Sequence, residues 1–129
     1  MTRCVLVVDD NDINRALAKD ALELYGYRVL TASNGCEALE LAARECPSVM
    51  VLDIQMPYMS GLEVLRRLRL ASETHVRSIR VIAATALATQ ADRTRCFDAG
   101  ADDYIARPFR FRDLAERVSR WSKEPACTA

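Results

Sequence analysis

Asp9 and Asp10 follow the aliphatic run "CVLVV", Asp53 follows "SVMVL", Thr85 closes "IRVIAAT" and Arg107 follows "DYIA". An unpaired carboxylate is costly to bury, so acids at the ends of strand-like apolar runs need a reason to be there. Three carboxylates brought together would repel one another and raise at least one pKa, which asks for a cation. The candidate ligands all carry oxygen. With no histidine or cysteine among them they favour Mg²⁺, which takes one or two carboxylates and keeps waters that a phosphate can replace. Thr85 and Arg107 are suited to phosphoryl oxygens, by hydroxyl donation and by charge-assisted hydrogen bonds.

These residues converge only if the runs are neighbouring strands. Residues 4–9, 48–53 and 79–85 are continuous aliphatic stretches, the pattern of strands covered on both faces in a parallel sheet. "YRVLTA" (27–32) and "DYIA" (103–106) are weaker candidates; the first is expected near an edge, and the run leading to Asp9 is expected to be the innermost strand. The segments between read as helices. Ile13, Leu17, Ala21 and Leu24 recur at helical spacing before Gly26, and Ala38, Leu39, Leu41 and Ala42 precede Pro47. Leu62, Leu65 and Leu68 mark a third helix with a blurred end in "ASETHVRS". A faintly amphipathic fourth runs from about Thr89 to Ala99, stopping at Gly100, and Phe111, Leu114, Val118 and Trp121 stripe a fifth. Strand and helix alternate throughout, which predicts an α/β domain: a doubly wound parallel sheet with right-handed crossovers. One domain over 1–123 with a tail at 124–129 accounts for the whole chain. In such a sheet ligands bind outside the carboxyl ends of the strands, where the residues above stand.

The strings "VVDDN" (7–11), "VLDIQMPYMSG" (51–61), "ATA" (84–86) and "DDYIARPF" (102–109), in this order over nearly the whole chain, resemble the receiver domains of two-component response regulators. The resemblance implies a flavodoxin-like (βα)5 fold with a five-stranded sheet of order 2-1-3-4-5. It makes Asp53 the phosphoacceptor, fed by a phosphohistidine on a histidine kinase or histidine phosphotransfer protein. Asp10 would ligate Mg²⁺ directly and Asp9 largely through water, with Asp53 and the Gln55 backbone carbonyl completing the protein ligands. Thr85 would bind a phosphoryl oxygen, and Arg107-Pro108 becomes a candidate cis peptide. For output, Thr85 moves toward the phosphoryl group and Tyr104 turns inward, which repacks the surface of the fourth helix, fifth strand and fifth helix for a downstream protein target. Gln55 and Leu87 hold positions that tune phosphoryl lifetime. The domain would catalyse only its own phosphorylation and dephosphorylation, in the cytoplasm.

Receivers usually carry lysine where this chain has Arg107. Arginine is planar and bulkier and offers a fixed fork of donors, so the substitution either works as lysine does or alters the switch. The second case would leave a pseudo-receiver, a protein-binding module independent of phosphate. An aspartate-nucleophile phosphatase also uses Mg²⁺ and a strand-end acid, but usually needs a second acid at the position of Gln55. Only Lys19 and Lys123 among the 18 basic residues are lysine, so arginine at 107 also follows composition. Those 18 balance 18 acids, which argues against nucleic acid or an anionic membrane as partner. No apolar run approaches the roughly 18 residues of a membrane span, and the start turns acidic too soon for a signal peptide. The five scattered cysteines are expected to be reduced and mostly buried. His75, the only histidine, reads as a surface residue, and no G-x-x-x-x-G-K is present for a nucleotide.

Overall fold

The computed structural model describes residues 3–86 and 89–122; Leu87 and the tail at 124–129 lie outside them. Five parallel strands, β1 (Cys4–Val8), β2 (Arg28–Ala32), β3 (Val49–Asp53), β4 (Arg80–Thr85) and β5 (Asp103–Ala106), form one sheet in the order β2-β1-β3-β4-β5. This is the flavodoxin-like order expected, with β2 at an edge. The centre is β3, not β1: its five residues are all buried, and β1 lies between it and the edge.

Alternation along the strands sorts the core into two halves. Val5, Val7, Val49, Val51, Ile82, Ala84 and Ile105 face α1 (Asp12–Leu24) and α6 (Phe111–Ser122). Leu6, Val8, Met50, Leu52, Val81, Ala83 and Tyr104 face α2 (Gly35–Glu45), α3 (Gly61–Arg69), α4 (Thr74–Arg77) and α5 (Gln90–Ala99). The blurred stretch after the third helix thus contains a helix of its own, α4, held by Val76 and, through His75 Nε2, by the Ala43 carbonyl at 3.3 Å. The predicted fourth and fifth helices become α5 and α6.

The stripe that signalled α1 is not its buried face. Ala18 and Leu22 pack on the sheet, whereas Ile13, Leu17 and Leu24 are 71%, 47% and 87% exposed. A small alanine lets the helix close on the sheet, and that displaces the larger side chains to its flank. The cysteines also depart from expectation. Among the described residues Cys36 and Cys46 are exposed, Cys4 is half-buried and only Cys96 is buried, all as free thiols. Cys36 lies in the first turn of α2 and Cys46 at its C-cap, so both sit at the ends of one surface helix.

At the amino edge of β4, Arg69 ties the layers together. Its Nη1 donates to the carbonyls of Arg77 and Ile79, both at 2.7 Å, and Nε and Nη2 donate to Gly100 O at 2.9 and 2.8 Å. Nη2 also reaches Asp102 at 2.8 Å, whose carboxylate accepts the Val81 N–H at 2.9 Å. Gly100 ends α5 at φ 116°, and a Cβ there would lie 2.6 Å from Arg69 Cγ. Glycine is therefore required twice over, by conformation and by space.

Candidate functional site

Strand register assembles the site. Val8 pairs with Leu52, Asp53 with Ala84, and Thr85 with Ala106, so Asp9, Asp53, Thr85 and Arg107 all reach the carboxyl edge together. Parity then divides them. Asp9, Asp53 and Arg107 continue the rows that face α1 and α6, while Thr85 continues the row that holds Ala83, on the side of Tyr104.

Asp9, Asp10 and Asp53 each place a carboxylate oxygen within 4.8 Å of the others. Asp9 and Asp53 are only 3% and 6% exposed, and Asp10 is exposed. Asp9 Oδ1 accepts the Asn11 N–H at 2.9 Å, and Oδ2 accepts Arg107 Nη2 at 2.5 Å. Asn11 caps α1 by accepting the Asn14 N–H at 2.9 Å, and Arg15 Nη1 donates to the Asp9 carbonyl at 2.8 Å. The helix start thus holds the acidic loop in place. Asp53 Oδ1 accepts the Gln55 N–H at 3.0 Å. Burial pushes the Asp53 carboxyl up to about 6; Arg107 and the Gln55 N–H pull it down in part, and Asp9 and Asp10 push it further up. A buried carboxylate that is costly to ionise, beside two more, with only oxygen donors, fits a hard divalent cation such as Mg²⁺.

The Asp53 loop is closed by Gly61, whose N–H donates to Ile54 O at 3.0 Å. A Cβ on Gly61 would lie 2.5 Å from Asp53 O and 2.6 Å from Ile54 Cα, so only glycine lets α3 begin this close to Asp53. Thr85 is 1% exposed, and its carbonyl accepts the Arg107 N–H at 2.9 Å. The Arg107–Pro108 peptide is cis.

Residues 5–119 match the family model of the response regulator receiver domain. The chain belongs to this family. The receiver is 36% identical over 121 residues to the polar-differentiation response regulator DivK of Brucella ovis, which covers 94% of this chain and 97% of that protein. It superposes on the Vibrio cholerae chemotaxis protein CheY4 with a TM-score of 0.88 at 27% identity, covering 94% of this chain and 99% of that one. The receiver domain of a Pseudomonas aeruginosa sensor histidine kinase matches at 31% identity and TM-score 0.86, covering 96% and 100%; that structure has a magnesium ion coordinated in the active-site cleft. The function class is therefore that of a receiver in two-component signalling, a signalling module.

Around this receiver's acids the structure adds partners that spacing did not single out. The Gln55 side chain crosses the pocket and accepts the Ala86 N–H at 3.3 Å, while Asn11 and Arg15 lock the Asp9 loop. A legible signal existed for Asn11, which stands where a helix N-cap belongs. Gln55 was expected as a backbone ligand and as a position that tunes phosphoryl lifetime, but its side-chain bond to Ala86 depends on how β3 and β4 are aligned and had no signal in the sequence. Tyr104 is 6% exposed, with the Arg93 guanidinium 5.1 Å above its ring. Of "MPYMS", Met56 and Met59 pack inward, whereas Tyr58 is fully exposed at φ 68°. Among the described residues no helix is long and apolar enough to cross a membrane.

Proposed function

We propose that this receiver accepts a phosphoryl group from a phosphohistidine donor on the Asp53 carboxylate, in a Mg²⁺-dependent reaction. The observation that carries this reading is the buried Asp53 at the carboxyl edge, its oxygen within 4.8 Å of those of Asp9 and Asp10. Asp10, Asp53 and the Gln55 carbonyl are the residues to hold the metal directly, with Asp9 through water. Once bound, Mg²⁺ would neutralise charge shared between acceptor and phosphoryl oxygens.

The chain supplies position and charge. With its carboxyl near 6, Asp53 is mostly ionised at neutral pH and able to attack phosphorus while the bond to the donor imidazole breaks. Thr85 and Arg107 take phosphoryl oxygens. The donor docks over the flank of α1, where Ile13 and Leu17 lie exposed with Phe111 of α6 beside the pocket. Output passes from Thr85 to Tyr104 on the same side of the sheet, and so to the surface of α5, β5 and α6, which a downstream protein reads. A cytoplasmic setting suits both partners.

Intact mass of the protein and of Asp53→Asn, incubated with Mg²⁺ and a small-molecule phosphodonor, tests the reading. A gain of one phosphoryl group by the wild type alone supports it. No gain, or continuous turnover of phosphate esters, overturns it in favour of a phosphate-independent module or a phosphatase respectively.

A further inference from the structure

The neutral net charge of the chain conceals a local excess of cations at the amino edge of the sheet, opposite the acids. Arg80 opens β4, five residues before Thr85 and so ~16 Å from the carboxyl edge, and Asp102 directly precedes β5 beside it. A cavity of about 260 Å³ opens there, lined by Arg69, Arg77, Ser78, Ile79, Arg80 and Asp102. Three guanidiniums share it with one carboxylate. We propose that this cavity is a binding site for a small phosphate-bearing anion of the pyrophosphate type, held by Arg77 and Arg80.

The carboxylate is already taken. Asp102 Oδ2 accepts Arg69 Nη2 and the Val81 N–H at 2.8 and 2.9 Å, and its charge balances that of Arg69. Arg69 donates from Nε, Nη1 and Nη2 to oxygens of the protein, so it forms a wall of the cavity and leaves the ligand to its neighbours. Arg77 is the opposite case. Its Nη1 donates to the Ala71 and Ser72 carbonyls at 3.0 and 2.9 Å and its Nη2 to Thr74 Oγ1 at 3.3 Å, neutral oxygens that fix the guanidinium without cancelling its charge. Glu73, the acid at the start of α4, lies against His75 at 3.6 Å instead.

Arg80 is held more loosely. Among the described residues its one hydrogen bond is a stretched one, Nη1 to Asp102 Oδ1 at 3.4 Å, and its Nε is buried with no partner. The guanidinium lies over the Trp121 ring, 5.6 Å from its centre. Trp121 Nε1 donates to Asp103 at 2.8 Å, and Asp103 also draws Arg117 and Arg120 at 3.7 and 3.9 Å, so that acid is shared before Arg80 can use it. Burial pushes the Arg69 guanidinium down, Asp102 pulls it back in part, and Arg80 pushes it down again, the mark of a neighbouring cation left uncompensated. A guanidinium fork matches phosphate oxygens in pairs. Two such forks, with the half-buried Ser78 hydroxyl between the elements that carry them, suit a ligand with two linked phosphoryl groups, since a single charge would leave one cation unanswered. The site stands apart from the acids of the carboxyl edge, and neither reading depends on the other.

Calorimetric titration of sodium pyrophosphate, with a chelator present to keep Mg²⁺ from the acids, tests the site in the full chain and in Arg77→Gln, Arg80→Gln and Asp53→Asn. Saturable binding is expected, weakened about tenfold or more in each arginine variant and within about twofold of wild type in Asp53→Asn. Heat no greater than that of sodium chloride at the same ionic strength, or weakening confined to Asp53→Asn, overturns the proposal. ATP in place of pyrophosphate separates the sources: tighter binding identifies a nucleotide and equal binding a free polyphosphate, and either supports the site. Because loss of Arg80 uncovers Trp121, the wild type is also treated with an arginine-specific dicarbonyl, with and without pyrophosphate, and read by peptide mass. Labelling of Arg77 and Arg80 should fall severalfold when pyrophosphate is bound, and an unchanged extent refutes their role.

Discussion

Asp53→Asn should make the metal-free protein more stable at neutral pH. The Asp53 carboxyl lies at about 6 in the fold, against 3.8 for an ordinary aspartate. Because the folded value is the higher, the folded state holds the proton more tightly than the unfolded chain does, and stability falls as pH rises from about 4 to about 6. Above about pH 7 the cost is complete, and the displacement corresponds to at most about 3 kcal/mol. Asparagine keeps an oxygen for the Gln55 N–H, fills the same space and carries no charge toward Asp9 and Asp10. A gain of about 1–3 kcal/mol at pH 7.5 is expected, shrinking to about a third of that at pH 4.5 and toward zero by about pH 3. Urea unfolding with a chelator present, followed by fluorescence of the single tryptophan, Trp121, measures both limits. Added Mg²⁺ should reverse the order, since only a form that binds the ion gains from it. A wild type as stable as the variant at pH 7.5, or a gap independent of pH, would refute the claim that burial and neighbouring acids strain this carboxylate.

Gly61→Ala should cost about 1–3 kcal/mol and slow phosphorylation of Asp53, because a methyl 2.5 Å from Asp53 O displaces the backbone that carries the acceptor; thermal melting and intact mass report the two effects. Tyr58→Gly should raise stability by about 1 kcal/mol in urea titrations, since Tyr58 is fully exposed at φ 68°, where a side chain is strained and buries nothing. Arg69→Met should lose about 3 kcal/mol in the same titrations, as the Arg77, Ile79 and Gly100 carbonyls and Asp102 lose a shared donor.

The strands and the acids at their ends were legible because burial on both faces leaves a continuous aliphatic run, and a charge at its end is conspicuous against it. Asp9 and Asp53 stand out by that contrast, and Thr85 by closing such a run. Packing choices made between elements were not legible. The outward turn of Ile13, Leu17 and Leu24 depends on Ala18 meeting the sheet, and α4 is a single turn whose stability comes from Val76 rather than from propensity. Cysteine burial failed as a rule of type, since Cys36 and Cys46 sit at helix ends that nothing covers. Within the site, the residue read as a ligand for phosphoryl oxygens, Arg107, is in this structure bonded to a carboxylate on β1's far end. Spacing along the chain carries no information about a pair separated by 98 positions.

The side-chain parity of β4 has a further consequence. Odd and even positions of one strand address opposite sides of the sheet, so Thr85 lies among the side chains of one layer while the carboxylates beside it belong to the other. The sheet backbone separates the acids, on the side of α1 and α6, from Thr85 and Tyr104, on the side of α5, and Thr85 is the point where that separation is thin. If, as proposed, a donor docks on α1 and a target reads α5, surface residues of α1 can drift without touching the packing beneath α5, and those of α5 can drift without touching the acids. A module built this way could be rewired at α1 and at α5 separately, with α6 the one element common to both surfaces.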